Sequence, residues 1–194
     1  MILLASMKPW GRDRRLPAFA AGLVLGALLS WGLPQLVTVD WHPAVPPLDE
    51  PLVIRADAKG SGRFGAPRSG HRRHHGVDLE APRGSPVRAI RGGVVLTSGK
   101  HRGMGRYIEV EHAGGLRSLY AHLDRLLVRV GDRVRQGDVI GTVGKTGNAR
   151  HPLITPHLHL EVRRHGSPVD PATLGLALAE PASDAEDTDA DGGE

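Results

Sequence analysis

The stretch His157-Leu158-His159-Leu160-Glu161-Val162 alternates polar and apolar side chains without a break. Residues at i, i+2 and i+4 of a strand share a face. The pattern therefore predicts a half-buried β-strand with His157, His159 and Glu161 on one side and Leu158, Leu160 and Val162 in a core. Two imidazoles on one rigid strand can divide labour, one ligating a metal while the other moves a proton or holds an oxyanion. Taken alone, the pair also fits a polar strand face in water, since histidine is intermediate in burial.

Similar segments recur upstream: Leu52 to Arg55, Val87 to Ala89, Gly93 to Thr97, Tyr107 to Glu111, Arg117 to His122 and Val139 to Val143. Turn-forming pairs at Gly92-Gly93, Gly114-Gly115, Gly131-Asp132, Gly137-Asp138 and Gly147-Asn148 space them as an all-β meander or barrel would. Only Pro171 to Leu178 holds a helical period. The 194 residues allow one ordinary domain plus appendages, and 26 Gly and 15 Pro suit turn-rich β structure better than a bundle. There is no cysteine, which excludes disulfides, thiolate metal sites and thiol nucleophiles. Any metal must be held by histidine and carboxylate.

Residues 51–172 carry 21 Lys and Arg against 10 Asp and Glu, whereas residues 173–194 carry seven acids and no base. A basic globule fits an anionic polymer surface or no specific partner at all. Nucleic acid is not expected, since neither an aromatic-interleaved basic groove nor zinc-finger spacing is present. A basic N-terminus (1–15) precedes the uncharged run from Leu16 to Val39, whose 24 residues would span about 36 Å as a helix. We expect a single-pass transmembrane signal anchor over 16–39 in the cytoplasmic membrane, with the rest exported to the periplasm or cell-wall space. A cleavable signal ending near Ser30-Trp31-Gly32 is the competing reading, and it too exports the domain. Residues 40–51 read as a Pro-rich extended spacer, 52–172 as the functional domain and 173–194 as a disordered acidic tail.

In Arg73-His74-His75-Gly76-Val77-Asp78-Leu79, an extended backbone puts His74 and Asp78 on one face, with Gly76 between them removing bulk. With one histidine of the distant His157/His159 pair they form a His₂Asp set with an open fourth position, as catalytic zinc sites keep for water. Leu119-Tyr120-Ala121-His122-Leu123 reads as a strand on which Tyr120 and His122 share a face. A histidine there is a candidate general acid or base. Arg68 is a candidate for a substrate carboxylate, because guanidinium pairs with carboxylates bidentately. His42, His71, His101, His112, His151 and His165 fall in the spacer or in loops and are assigned no role.

From about Gly62 to Pro171 the chain resembles the M23 zinc metallopeptidases, the LytM or lysostaphin-type endopeptidases of bacterial peptidoglycan. Phe64-Gly65 followed by Arg68 resembles the family's Phe-Gly-x-Arg entry with one extra residue. His74-His75-Gly76-Val77-Asp78 is similar to its His-x-Gly-x-Asp motif, and Ala81-Pro82-Arg83-Gly84-Ser85-Pro86-Val87 to the segment that follows it. Tyr120-Ala121-His122-Leu123 resembles the strand bearing its first catalytic histidine, Ile140 to Gly147 its Gly-rich strand and turn, and His157-Leu158-His159 its closing His-x-His. Two departures are a short loop between Arg68 and His74, and Leu160 where Phe is frequent.

The resemblance implies a compact antiparallel β fold, barrel-sandwich-like, with one Zn²⁺ on His74, Asp78 and His159. It also implies His122 and His157 as catalytic residues and a hydrogen bond from Tyr120 to substrate. The activity implied is zinc-dependent hydrolysis of stem or cross-link peptides of peptidoglycan. An alternative within the family is a catalytically silent protein that binds and activates a peptidoglycan amidase, a regulatory partner. Such proteins usually lack part of the ligand set, which is complete here. A third reading, a carrier-like barrel-sandwich adaptor, rests on Val128 to Gly141. It would need a modifiable lysine in a tight hairpin, and Lys145 lacks the flanking pattern.

Overall fold

The computed structural model describes residues 43–49 and 51–181. The run 16–39 and residues 182–194, on which the anchor and most of the tail were expected, lie outside the described residues. Among those described, no helix is long and apolar enough to cross a membrane.

Among the described residues the architecture is all-β, with three short 3₁₀ turns and one nine-stranded antiparallel sheet. Its strands are β1 (Gly76–Glu80), β2 (Pro86–Arg88), β3 (Gly93–His101), β4 (Gly105–Glu111), β5 (Leu116–Leu126), β6 (Arg133–Val134), β7 (Val139–Val143), β8 (His157–Arg164) and β9 (Ser167–Val169). They lie in the order β6-β3-β4-β5-β7-β2, and β8 runs beside β5 with β1 and β9 along its other edge. Leu158, Leu160 and Val162 face inward onto a core that includes Val77, Leu79, Ile108, Leu123 and Ile140. Burying each such Leu or Ile stabilises the fold by roughly 1.5–3 kcal/mol.

Strand β5 is the pivot. One edge pairs with β4 (Tyr120 opposite Ile108, Leu123 opposite Arg106), while the other changes partner. Leu116 to Ala121 pair with β8, and Leu123 to Leu126 pair with β7. The changeover falls at His122, which adopts a left-handed φ of 64°. This extra residue is a bulge that breaks the alternation of the strand. Tyr120 therefore points into the core while His122 points away from it, and the shared face expected for the pair is not found. The Tyr120 hydroxyl accepts the Ile90 N–H at 2.9 Å and lies 2.9 Å from Ser118 Oγ, which is 2.7 Å from His112 Nε2. Tyr120 is fully buried and cannot meet a substrate, and His112, read from sequence as a loop residue, belongs to the same buried network.

The domain is wider than expected. Ala44 and Leu48, in the predicted spacer, are buried, and Val45 N–H donates to Ile90 O at 3.0 Å. Pro171–Leu174 forms a single 3₁₀ turn capped by the Asp170 side chain, not a longer helix. Leu174 at its end and Leu176 beyond it are buried, and Leu178–Ala179 pairs in parallel with Leu52–Val53, so the start of the predicted tail is folded. The prolines of the first segment read as a spacer, and the acids that follow Ala179 made the second read as part of a tail.

Tyr120→Phe should lower stability by about 1–3 kcal/mol, because it strands the Ile90 N–H in the core and removes one of the two partners of Ser118. Thermal denaturation checks this, and metal stoichiometry should stay unchanged.

Candidate metal centre

Strand register builds most of the site. In the pairing of β8 with β1, His159 stands opposite Asp78, and in the pairing of β8 with β5 it stands opposite Ala121. His74 lies four residues before Asp78, where its backbone N–H donates to Ala66 O and its carbonyl accepts from Gly65 N–H. Gly65-Ala66 thus straps a candidate ligand. The short loop after Arg68 is a hairpin, with Pro67–Arg68 paired to Arg72–Arg73. Between the two ligands, a Cβ on Gly76 would collide with the Leu160 carbonyl, so the close approach of β1 to β8 requires glycine.

Three donor atoms converge. His74 Nε2 is 3.0 Å from His159 Nδ1, His159 Nδ1 is 2.8 Å from Asp78 Oδ1, and His74 Nε2 is 3.2 Å from Asp78 Oδ1. Donors bound at about 2.1 Å to a tetrahedral zinc ion stand about 3.4 Å apart, so this set needs little adjustment to take the ion. The outer nitrogens are tied down as metal ligands require. His74 Nδ1 donates to Arg63 O at 2.9 Å, leaving Nε2 with a free lone pair. His159 Nε2 faces the buried Glu161 carboxylate at 3.7 Å, and Glu161 is itself held by Arg163 Nε at 2.6 Å.

The charges are coupled. Burial works to raise the Asp78 pKa, yet the hydrogen bond from His159 and the charge on that ring hold it well below the usual carboxylate value. Burial likewise opposes a charged His159, but the hydrogen bond to Asp78 and the nearby Glu161 carboxylate outweigh it and raise its pKa to about 9. His159 therefore carries the proton that a metal ion must displace.

Two further rings face this set. His122 and His157 lie edge to face with centroids 4.9 Å apart, and His122 and His159 are 5.9 Å apart. His122 Nδ1 donates to Thr146 O at 2.9 Å and His157 Nδ1 donates to Thr155 O at 2.7 Å. A carbonyl can only accept, so in each ring Nε2 keeps its lone pair. Burial, with His157 and His159 nearby, pushes the His122 pKa down to about 3, and burial lowers that of His157. Both rings are neutral at pH 7 and able to take a proton.

The residues proposed to bind substrate are placed otherwise. Tyr120 lies in the core. Arg68 reaches inward, with Nη2 3.4 Å from Asp78 Oδ2 and Nη1 donating to Ser61 O at 2.9 Å, so its carboxylate partner is Asp78. The sequence reading missed Arg55, which is buried between Asp57 at 2.5 Å and Asp78 Oδ2 at 3.0 Å. Asp57 in turn accepts the Thr155 N–H at 3.0 Å, and Thr155 holds His157. A chain of polar contacts thus runs from a metal ligand to a second histidine. Only the polar alternation Arg55-Ala56-Asp57 could have signalled it.

Residues 72–171 match Peptidase family M23. Among curated relatives, the chain is 43% identical over 109 residues to the DD-carboxypeptidase/endopeptidase Mpg of Neisseria meningitidis serogroup B, covering 56% of this chain and 24% of that protein. It is 39% identical over 107 residues to the peptidoglycan DD-endopeptidase ShyC of Vibrio cholerae, covering 55% and 24%. The matched stretch thus spans about a quarter of the length of these relatives. Among solved structures, a zinc-containing peptidase from Vibrio cholerae superposes with a TM-score of 0.56 at 32% identity, over 67% of this chain and 39% of that one.

Zinc binding should release about one proton at pH 8 and weaken by about tenfold per pH unit below pH 9, as the His159 proton competes more strongly. Calorimetry in buffers of different ionisation enthalpy checks this; a pH-independent affinity would contradict it. Arg55→Leu should weaken zinc binding by about 10–100-fold, since it leaves Asp78 without its outer support.

Proposed function

The chain belongs to peptidase family M23, and on that premise we propose that it is a zinc-dependent endopeptidase that hydrolyses peptide bonds in bacterial peptidoglycan. The observation that carries the reading is the convergence of His74 Nε2, Asp78 Oδ1 and His159 Nδ1 within 3.2 Å, faced by two rings with free Nε2 atoms. The endopeptidase names of the curated relatives support the reaction and the word peptidoglycan in one of them the substrate.

His74, Asp78 and His159 would hold the ion. When bound, zinc supplies Lewis acidity that lowers the pKa of water and polarises a carbonyl. His122 or His157 takes a proton from the attacking water at Nε2, water oxygen bonds to the peptide carbon, and the carbon–nitrogen bond breaks. The imidazolium so formed returns its proton to the departing amine, leaving a carboxylic acid and an amine, which then exchange a proton to become carboxylate and ammonium. The second ring completes a buried wall that excludes bulk water from the reacting carbonyl. Each ring is held by a backbone carbonyl at Nδ1, so neither must reorient to accept the proton.

Export fits this activity, since its substrate lies outside the cytoplasmic membrane. The uncharged run 16–39 supports a single-pass anchor with the domain on the outer side. The complete ligand set favours an enzyme over a silent activator of a regulatory partner.

Isolated peptidoglycan incubated with the zinc-loaded chain should release new muropeptides, and chelator or His159→Ala should abolish release. His122→Ala and His157→Ala should keep zinc yet lose about 10²–10⁴-fold in rate. Loss of zinc in either variant would contradict the division between ligands and bases.

A further inference from the structure

Thr146, whose carbonyl holds His122, lines a cavity of about 400 Å³ bounded by the tip of the β3–β4 hairpin and the 3₁₀ turn Gly147–Arg150. Its lining includes Lys100, His101, Arg102, Arg106 and Arg150 and contains no acid. His101 Nδ1 accepts the N–H groups of Gly103 and Met104 at 3.2 and 3.4 Å, so its ring proton sits on Nε2 as a further donor. Among the described residues, the one acid that touches a lining cation is Asp124, already engaged by Arg106 Nη1 at 3.3 Å. Lys100, Arg102 and Arg150 have no acidic partner among the described residues.

The frame of this cavity is rigid. Gly105 and Gly147 take positive φ values of 70° and 65°, and a Cβ on either would collide with the other's loop. Asn148 N–H donates to Gly103 O at 2.8 Å, joining hairpin tip to turn. The same two loops hold the second ring of the site: His122 N–H donates to Met104 O at 2.9 Å and His122 Nδ1 donates to Thr146 O at 2.9 Å. Cations held together without counter-charge repel one another, and an anion in the concavity removes that repulsion.

We infer that this cavity is a carboxylate subsite, which binds an acidic group of the peptide strand being cut and so selects substrates with a free carboxylate near the scissile bond. The inference rests on the endopeptidase reading for its substrate and deepens it. Arginine forks match carboxylates in a bidentate manner, and the shared loops place the bound group on the His122 side of the centre. Arg102, in the hairpin tip, and Arg150, in the 3₁₀ turn, are the specificity-determining residues; Arg106 is held by Asp124.

The test uses the zinc-loaded full chain and two synthetic cross-link peptides that differ only in a carboxylate or carboxamide on the residue flanking the scissile bond. Binding is read by calorimetry on the zinc-loaded His157→Ala chain, and cleavage on the wild type. The carboxylate peptide should bind about tenfold or more tightly than the amide, as a charge-assisted pair implies. It should also be cut with a correspondingly higher kcat/KM. Arg102→Glu with Arg150→Glu should erase the preference, whereas Arg164→Glu, an exposed charge reversal elsewhere, should keep it. Equal binding of the two peptides, or a preference that survives the double reversal, overturns the subsite. Binding of a glycerol-phosphate oligomer in place of the carboxylate, lost in the double variant, overturns it in favour of a phosphate polymer. Discriminating binding without cleavage of either peptide by the wild type leaves the subsite standing and removes the endopeptidase reading.

Discussion

Asp78 carries a negative charge in a place where only 4% of its surface meets solvent, and the rest of the site is arranged around that charge. An ionised carboxylate withdrawn from water costs several kcal/mol unless its lone pairs are engaged. Here Oδ1 meets His159 and His74, while Oδ2 meets Arg55 at 3.0 Å and Arg68 at 3.4 Å. One oxygen is thereby turned toward the metal donors and the other toward cations. Arg55 extends the arrangement through Asp57 to the backbone of Thr155, which seats His157. A single buried charge thus orders a ligand, its support and a second histidine in one connected set.

The other constraint is topological. A straight strand β5 would have sent Tyr120 and His122 to the same side, into either the core or the solvent. The bulge at His122, with φ 64°, lets one strand serve both sides: Tyr120 closes a buried network and His122 faces His157. A non-glycine residue in the left-handed region costs of order 1–3 kcal/mol, and such strain persists where surrounding structure fixes it. The partner exchange from β8 to β7 and the hydrogen bonds from His122 N–H and Nδ1 supply that fixation.

What the sequence revealed follows from the range of each signal. Alternation along His157 to Val162 is local, so the strand, its buried face and the shared face of His157 and His159 could be read directly. The His74/Asp78 pair was legible as an i,i+4 set on extended chain. Its meeting with His159 depends on register between strands about eighty residues apart, which a motif resemblance supplied and spacing could not. Tyr120 was misplaced because alternation was carried through a bulge that no residue type announces. Arg68 was assigned to substrate because its real partner, Asp78, is a neighbour only in the folded chain. Arg55 was overlooked for the same reason, and residues 43–49 because their prolines read as a spacer although Ala44 and Leu48 are buried.

The central claim is that His74, Asp78 and His159 hold one zinc ion while His122 and His157 stand free of it. Anomalous X-ray scattering at the zinc edge from crystals of the zinc-loaded chain tests this directly. The account predicts one peak at about 2.0–2.2 Å from His74 Nε2, an Asp78 carboxylate oxygen and His159 Nδ1. A peak bonded to His122 or His157, or zinc bound only elsewhere on the domain, would contradict it.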